Sequence, residues 1–224
     1  MKPNVNSIEL AEAVSVQDMR SSDAYTIANF VSGRELMYRA AMGVYNAVAW
    51  ENKKIAIISG SGNNGGDGYA LAGILAEKGI CPTVLRTSLK LSEDGAYYFE
   101  DCIRRGIPVE SFSEDTDLSG FDILVDCILG TGFDGVPRGA AAKAIQKINE
   151  ENAYVVSVDI NSGMNGDTGE AELAVRSDKT VSIGFYKTGH FLGKASEYIG
   201  DLVNAEIGIV YHPLSLTEGL DEEA

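Results

Sequence analysis

Three loops in the sequence place glycine and polar side chains directly after a run of apolar residues. The first loop, residues 60–68, reads GSGNNGGDG and matches the pattern GxGxxG. Glycine lets a backbone approach a phosphate closely, and the start of a following helix offers free N–H groups and partial positive charge. A tight turn with Asn caps is the alternative, but Asn63, Asn64 and Asp67 exceed what a turn requires. The first loop therefore predicts a phosphate-binding site.

The second loop (126–139) and the third loop (159–167) each open with a carboxylate. Asp126 follows the apolar run 123–125, and Asp159 follows the run 154–158. Asp126 is suited equally to holding a cation and to capping a loop. Asp159 is a candidate for proton transfer or for binding a ligand hydroxyl, with a turn-forming role as the alternative.

The segments around these loops alternate between the patterns of strands and helices. A helical lead-in at 7–50 precedes them. Parallel strands need crossover connections, usually helices, so the alternation predicts a mostly parallel sheet with helices on both faces. Ligands bind beyond the carboxyl ends of such strands, so the three loops should share one crevice. We expect helices at 66–78, 93–105 and 140–149, and strands at 55–59, 83–85, 123–125, 154–158, 179–183 and 202–206.

Length and composition limit the classes of function. The 224 residues suit one domain, which we place at 1–217, followed by an acidic tail at 218–224. The net charge of −15 disfavours nucleic acid as a partner. Three cysteines suit a reducing cytosol, and two histidines disfavour zinc, which leaves oxygen ligands for a metal. Because the sequence shows no export signal and no long apolar run, we expect a soluble, cytoplasmic protein without a membrane partner.

Together the three loops resemble those of the NAD(P)H-hydrate epimerase family, also called the YjeF N-terminal domain family. The resemblance rests on the run 63–68, on Asp126 with the segment 130–136, and on the run 159–163, which reads DINSG. It implies a Rossmann-like three-layer α/β/α sandwich, commonly a homodimer, that interconverts the R and S forms of hydrated NADH and NADPH (NADHX and NADPHX). An ADP- or ATP-dependent dehydratase restores the S form, and we expect it to be a separate partner of this chain.

The resemblance also implies roles for individual residues. Potassium (K+) is the implied cofactor, held by Asn64, Asp126 and Ser162. Asp159 corresponds to the acid that contacts the substrate, and we expect it to transfer the proton in epimerisation, with Lys187 as a second candidate. The family usually has proline at the position of Asn161, which predicts a less rigid third loop here. Besides Asp159, the implied substrate-binding residues are Asn63, Asn64, Gly65, Gly66, Asp67, Gly130, Thr131, Gly132, Phe133, Asp134, Gly135 and Val136.

Two other interpretations compete with an isomerase. A non-catalytic nucleotide- or protein-binding module of the same fold is the first, since related domains occur in messenger-RNA decapping scaffolds and in an apolipoprotein-binding protein. The presence of Asp126, Asp159 and the run 63–67 favours the enzyme, because a scaffold has no need of all three. An NAD-dependent oxidoreductase is disfavoured, since residues 83–86 read TVLR where the dinucleotide fingerprint expects an acid.

Overall fold

Two helices precede the sheet in the computed structural model, which describes residues 12–216. Helix α1 spans Val16–Asn29 and helix α2 spans Gly33–Ala47. The hydroxyls of Ser15 and Ser32 cap them by accepting a backbone N–H of the first turn. The caps satisfy donors that lack a partner within the helix, so they fix where each helix begins.

Strands and helices then alternate, except that β4 follows β3 and β6 follows β5 without a helix between them. The strands are β1 (Ile55–Ser59), β2 (Thr83–Arg86), β3 (Val109–Ser111), β4 (Ile123–Cys127), β5 (Tyr154–Val158), β6 (Ser177–Ile183) and β7 (Ile199–Ala205). The helices are α3 (Asn63–Glu77), α4 (Glu93–Arg104), α5 (Gly139–Glu150) and the short α6 (Ala195–Tyr198).

The seven strands form one parallel sheet in the order β3-β2-β1-β4-β5-β6-β7. The chain moves outward from β1 to β3, returns to pair β4 with β1, and then moves outward to the other edge. The order therefore reverses between β1 and β4. Open α/β sheets bind ligands at such a switch point, beyond the carboxyl ends of the strands.

Each face of the sheet has its own apolar core, because neighbouring residues of a strand point to opposite faces. Ile57 and Val125 join the core beneath α2, α3 and α4. Ile58 and Leu124 join the core beneath α5. Helices thus cover both faces, and the predicted three-layer α/β/α sandwich is confirmed.

The predicted elements differ from the observed ones mainly at their ends. Helix α3 begins at Asn63 rather than at residue 66, and β7 begins at Ile199 rather than at 202. The sequence did not predict β3, because this edge strand is short and two of its three residues are exposed. Residues 7–11 of the lead-in and the tail at 218–224 lie outside the described residues. Within 12–216, no helix is both long and apolar enough to cross a membrane.

Candidate functional site

A cleft of about 520 Å³ lies at the carboxyl ends of β1, β4 and β5, as expected for this topology. This volume suits a small-molecule ligand. The three loops line it together with side chains from α1 and α2. The charged residues of the lining are Arg20, Asp23, Asp67, Asp94 and Asp159, and its apolar residues include Met19, Leu36, Met37, Ile183 and Ile207.

The structure brings most of the residues implied for substrate binding to this cleft. Those in the lining are Asn63, Asn64, Asp67, Gly130, Thr131, Gly132, Phe133 and Asp159. The remaining implied residues, Gly65, Gly66, Asp134, Gly135 and Val136, are not part of the lining. Asp134 instead accepts a hydrogen bond from the Asn165 side chain at 3.0 Å.

The glycines of the first loop hold the start of α3 against the end of β1. The N-cap residue, Gly62, provides no side-chain hydrogen bond to the first turn, which leaves N–H groups of that turn available to an anion. A Cβ at Gly65 would lie 2.2 Å from the Gly60 carbonyl oxygen. Gly65 therefore permits close packing of backbone on backbone, which positions these N–H groups at the cleft.

Asp126 and Ser162 are fully buried beneath the cleft, where they join the second and third loops. Oδ1 of Asp126 accepts hydrogen bonds from the Ile128 N–H and the Ser162 hydroxyl. Oδ2 accepts the Ser157 hydroxyl at 2.8 Å and the Ser162 N–H at 2.9 Å. Burial raises the pKa of Asp126, while these donors act in the opposite direction. Because a carboxylate offers about four lone-pair sites, the loop-capping role predicted for Asp126 accounts for its contacts.

Asn64 carries an oxygen that the rest of the described chain leaves open. Its Nδ2 donates to the Leu129 carbonyl at 2.9 Å, whereas its buried Oδ1 has no hydrogen-bond partner within residues 12–216. The Ser162 hydroxyl lies 3.1 Å from the same carbonyl, so Asn64 and Ser162 meet at Leu129. A buried oxygen without a donor is unfavourable, and an ion or an ordered water would satisfy it.

Asp159 forms an ion pair at the edge of the cleft. Its Oδ1 accepts a hydrogen bond from Lys187 Nζ, and its Oδ2 lies 3.4 Å from the Thr131 N–H. The Lys187 side chain is fully buried, and its Nζ also donates to the Ile183 carbonyl at 2.8 Å. Burial acts to raise the pKa of Asp159, but the Lys187 ammonium holds this pKa below its usual value. Asp159 is therefore a carboxylate at neutral pH.

His190, which the sequence analysis did not select, fixes the backbone at Asp159. Asp159 has φ +68°, a left-handed conformation that is uncommon for a residue other than glycine. Nδ1 of His190 accepts the Lys187 backbone N–H at 3.1 Å, so Nε2 carries the proton and donates to the Asp159 carbonyl at 3.0 Å. Burial lowers the pKa of His190 to about 3, so the ring is neutral at pH 7.

Helix α1 adds Arg20 and Asp23 to the cleft, and the sequence analysis assigned a role to neither. Their spacing of three residues puts both on one face of the helix, which was the available signal. Burial, together with the Asp159 carboxylate, raises the pKa of Asp23 to about 6. Burial also raises the pKa of Asp67 well above its usual value, and Asp159 and Asp23 add to this shift. Of these three carboxyl groups, that of Asp159 is ionised, whereas those of Asp23 and Asp67 hold a proton more tightly than a free carboxyl does.

Asn161, the residue at the family's usual proline position, is fully buried and anchors the third loop. Its Nδ2 lies within 3.0 Å of three acceptors, which are the Val175 carbonyl, the Tyr198 carbonyl and the Ser177 hydroxyl. Its Oδ1 accepts the Thr180 hydroxyl at 2.6 Å. These side-chain contacts constrain the third loop at the position where a proline ring would otherwise do so, and the lower rigidity expected from the sequence stays a prediction.

Replacing Asn161 with Ala is expected to destabilise the fold by about 3 kcal/mol, because each buried polar group left without a partner costs about 1–3 kcal/mol. Urea denaturation measures this change. The matched control is Asn29→Ala, which removes an exposed Asn with a single hydrogen bond, to Tyr25. We expect the control to change stability by less than about 0.5 kcal/mol. Equal losses in the two variants would contradict an anchoring role.

Comparison of the sequence with known proteins identifies the family to which the chain belongs. A family model described as "YjeF-related protein N-terminus" matches residues 33–189. The NAD(P)H-hydrate epimerase of Limosilactobacillus fermentum is 34% identical over 202 residues, which cover 87% of this chain and 96% of that protein. The bifunctional NAD(P)H-hydrate repair enzyme Nnr of Archaeoglobus fulgidus is 36% identical over 201 residues, which cover 88% of this chain and 42% of that longer protein.

A solved structure supports the fold independently. The crystal structure of the yeast protein ynu0 superimposes with a TM-score of 0.71 over 86% of both chains, at 21% sequence identity. At that identity the likeness shows the shared architecture alone.

Proposed function

Because this chain belongs to the YjeF N-terminal family, we propose that it is an NAD(P)H-hydrate epimerase that interconverts the R and S forms of NADHX and NADPHX. The observation that carries this proposal is the ion pair of Asp159 and Lys187 beside a glycine-rich helix start in one cleft. The helix start suits the phosphates of a dinucleotide. The ion pair places an ionised carboxylate where a ring substituent can reach it.

The reaction inverts the configuration of a single carbon and needs proton transfer at the oxygen that this carbon carries. The hydrated nicotinamide carries a hydroxyl on the carbon next to the ring nitrogen, and this carbon must become planar before its configuration can change. It does so either by losing the hydroxyl as water or by opening of the ring. Each route needs a group that gives a proton and a group that takes one, and such groups typically contribute about 10²–10⁴-fold to rate.

Asp159 is suited to be the group that accepts a proton in this reaction. Lys187 keeps it ionised, and the Thr131 N–H orients its second oxygen. The Lys187 ammonium is buried and bonded to Asp159 and to the Ile183 carbonyl. Lys187 is therefore a positioning residue for Asp159 rather than a second proton-transfer group.

A monovalent cation, potassium, is part of the proposal. The open Oδ1 of Asn64 and the Ser162 hydroxyl would hold it, with Asp126 supplying negative charge through its bond to Ser162. Among residues 12–216 no three His, Cys, Asp or Glu side chains form a metal-binding group. The bound ion would hold the first and third loops together beneath the substrate and offset carboxylate charge.

Rubidium tests the cation site. Crystals grown in a rubidium salt should show anomalous signal between Asn64 and Ser162, and Asn64→Ala should remove it. Asn63→Ala is the control, because Asn63 is exposed and lies next to the site in sequence. Absence of signal in the parent, or its persistence in Asn64→Ala, would contradict this assignment.

The proposal extends to partners of this chain. The bifunctional repair enzymes combine two activities in one longer protein, which this chain matches over 42% of the A. fulgidus example. We propose that a separate ADP- or ATP-dependent dehydratase consumes the S form that this chain supplies. We further propose that the protein acts as a homodimer in the cytoplasm.

A coupled assay tests the function. An S-specific dehydratase is added to a mixture of both epimers, and the remaining R epimer is followed with and without this protein. We expect the protein to accelerate loss of the R form until both epimers are consumed. An R form that persists at the protein-free rate would leave the non-catalytic binding module as the better interpretation.

A further inference from the structure

The epimerisation proposed above requires a proton donor, and Asp159 is mainly ionised at neutral pH. The Lys187 ammonium holds the pKa of Asp159 below its usual value, which favours Asp159 as a proton acceptor. Lys187 is fully buried and directs its Nζ at Asp159 and at the Ile183 carbonyl. The site therefore lacks a donor among the residues that the sequence identified as candidates.

Asp23 enters the same cleft from a different element. It lies on α1, whereas Asp159 follows β5, and both side chains line the cleft. The neighbouring residue Ser22 is buried and accepts the His212 N–H at 2.9 Å, which anchors this turn of the helix. The Asp23 carboxyl is half-buried, and it forms no hydrogen bond or ion pair with the rest of residues 12–216. A half-buried carboxyl without a protein partner, facing a ligand cleft, is free to bond to a ligand.

Burial and the nearby Asp159 carboxylate shift Asp23 towards its protonated form. Burial is the largest cause, the Asp159 carboxylate adds to it, and Lys187 opposes it, so that the pKa of Asp23 is raised to about 6. General acid catalysis is most efficient when the pKa of the donor lies near the operating pH, and a pKa of about 6 meets that condition near pH 6. The other charged groups that line the cleft are Arg20 on α1, Asp67 on α3 and Asp94 on α4.

We propose that Asp23 gives the proton and Asp159 takes it for the epimer whose hydroxyl faces Asp23, and that the two carboxyls exchange these roles in the reverse direction; this assignment rests on the proposed function. The Asp23 carboxyl protonates the ring hydroxyl, and the carbon–oxygen bond breaks as its electron pair leaves with water. The lone pair of the ring nitrogen forms a carbon–nitrogen double bond. Water then adds to the opposite face, the double-bond pair returns to nitrogen, and the proton lost by that water passes to Asp159. Exchange with solvent restores both carboxyls.

The variant Asp23→Asn tests this assignment, because Asn matches the shape of a protonated Asp but has no acidic proton. We expect kcat/KM at pH 6 to fall about 10²-fold, with KM within threefold of the parent. In the parent, kcat/KM corrected for the protein-free rate should decrease as pH rises through about 6, because the donor loses its proton. That decrease should disappear in Asp23→Asn and persist in Asp23→Glu.

Two control variants separate the donor from general effects of charge. Asp67→Asn removes another carboxyl of the cleft and should retain the decrease with pH. Asp201→Asn removes an exposed carboxylate on β7, outside the cleft, and should match the parent in rate. If the parent is active and Asp23→Asn keeps both its rate and its pH profile, the assignment fails while the proposed function stands. Loss of the pH effect in Asp67→Asn instead would move the donor role to Asp67, and a parent without activity would refute the function itself.

Discussion

Replacing Asp159 with Asn is expected to reduce the epimerisation rate at saturating substrate by about 10³-fold, within the range typical for loss of an acid–base group. Lys187 keeps this carboxylate, the proposed proton acceptor, ionised, and Asn cannot accept a proton at neutral pH. Steady-state kinetics on one purified epimer measures the change. A rate within a fewfold of the parent would remove Asp159 from the chemistry.

The same substitution should also lower stability, although Asn and Asp have nearly the same size. Asp159 is the ion-pair partner of a fully buried ammonium, and leaving a buried charge without its partner costs about 3–5 kcal/mol. The matched control is the double variant Asp159→Asn with Lys187→Met, which removes both charges. We expect its Tm to exceed that of the single variant while its activity stays low. Recovery of activity together with stability would show that Asp159 acts only through the fold.

Replacing Gly65 with Val should lower the stability of the fold substantially. Its Cβ would lie 2.2 Å from the Gly60 carbonyl oxygen, and neither backbone segment can rotate away as a side chain would. Overpacking typically costs about 1–3 kcal/mol, and a clash between backbones belongs at the upper end. We expect Tm to fall by about 6–12 °C, since about 2–4 °C corresponds to 1 kcal/mol in a domain of this size.

Gly62→Ala is the control for this prediction. A Cβ at Gly62 meets no atom within 4 Å, and its φ of −94° suits any residue. Its Tm should therefore stay close to that of the parent. Substrate binding, measured by calorimetry, should weaken in Gly65→Val because the N–H groups at the start of α3 shift. A stable Gly65→Val that binds normally would show that this close contact does not position the helix start.

The general rules for parallel sheets were sufficient to predict where the cleft lies. Apolar runs followed by glycine-rich loops located β1, β4 and β5, and the carboxyl ends of parallel strands meet at one edge. The three loops were therefore predicted to share a crevice, and the cleft is lined by residues of all three. Such rules do not predict the contacts of individual side chains, because a sequence pattern gives the position of a residue in the fold but not the atoms that surround it.

Several contacts in the site arise from tertiary structure and carry no local signal. Asp23 and Arg20 belong to the lead-in, whose pattern predicts a helix but not the surface on which it packs. The ion pair of Asp159 with Lys187 joins two residues that are 28 positions apart in sequence. The hydrogen bond from His190 to the Asp159 carbonyl joins residues that are 31 positions apart. The sequence suited Asp126 equally to binding a cation and to capping a loop. The four hydrogen bonds that its carboxylate accepts, which the sequence does not show, fit the capping role.

The most direct test of the account starts from one pure epimer of NADHX, without a dehydratase, and follows both epimers by chromatography. We predict that catalytic amounts of the protein bring a pure R sample and a pure S sample to the same final ratio, while protein-free samples change little in that time. The spontaneous rate is measured in parallel and subtracted. A protein that binds either epimer but leaves both samples at the spontaneous rate would contradict the account.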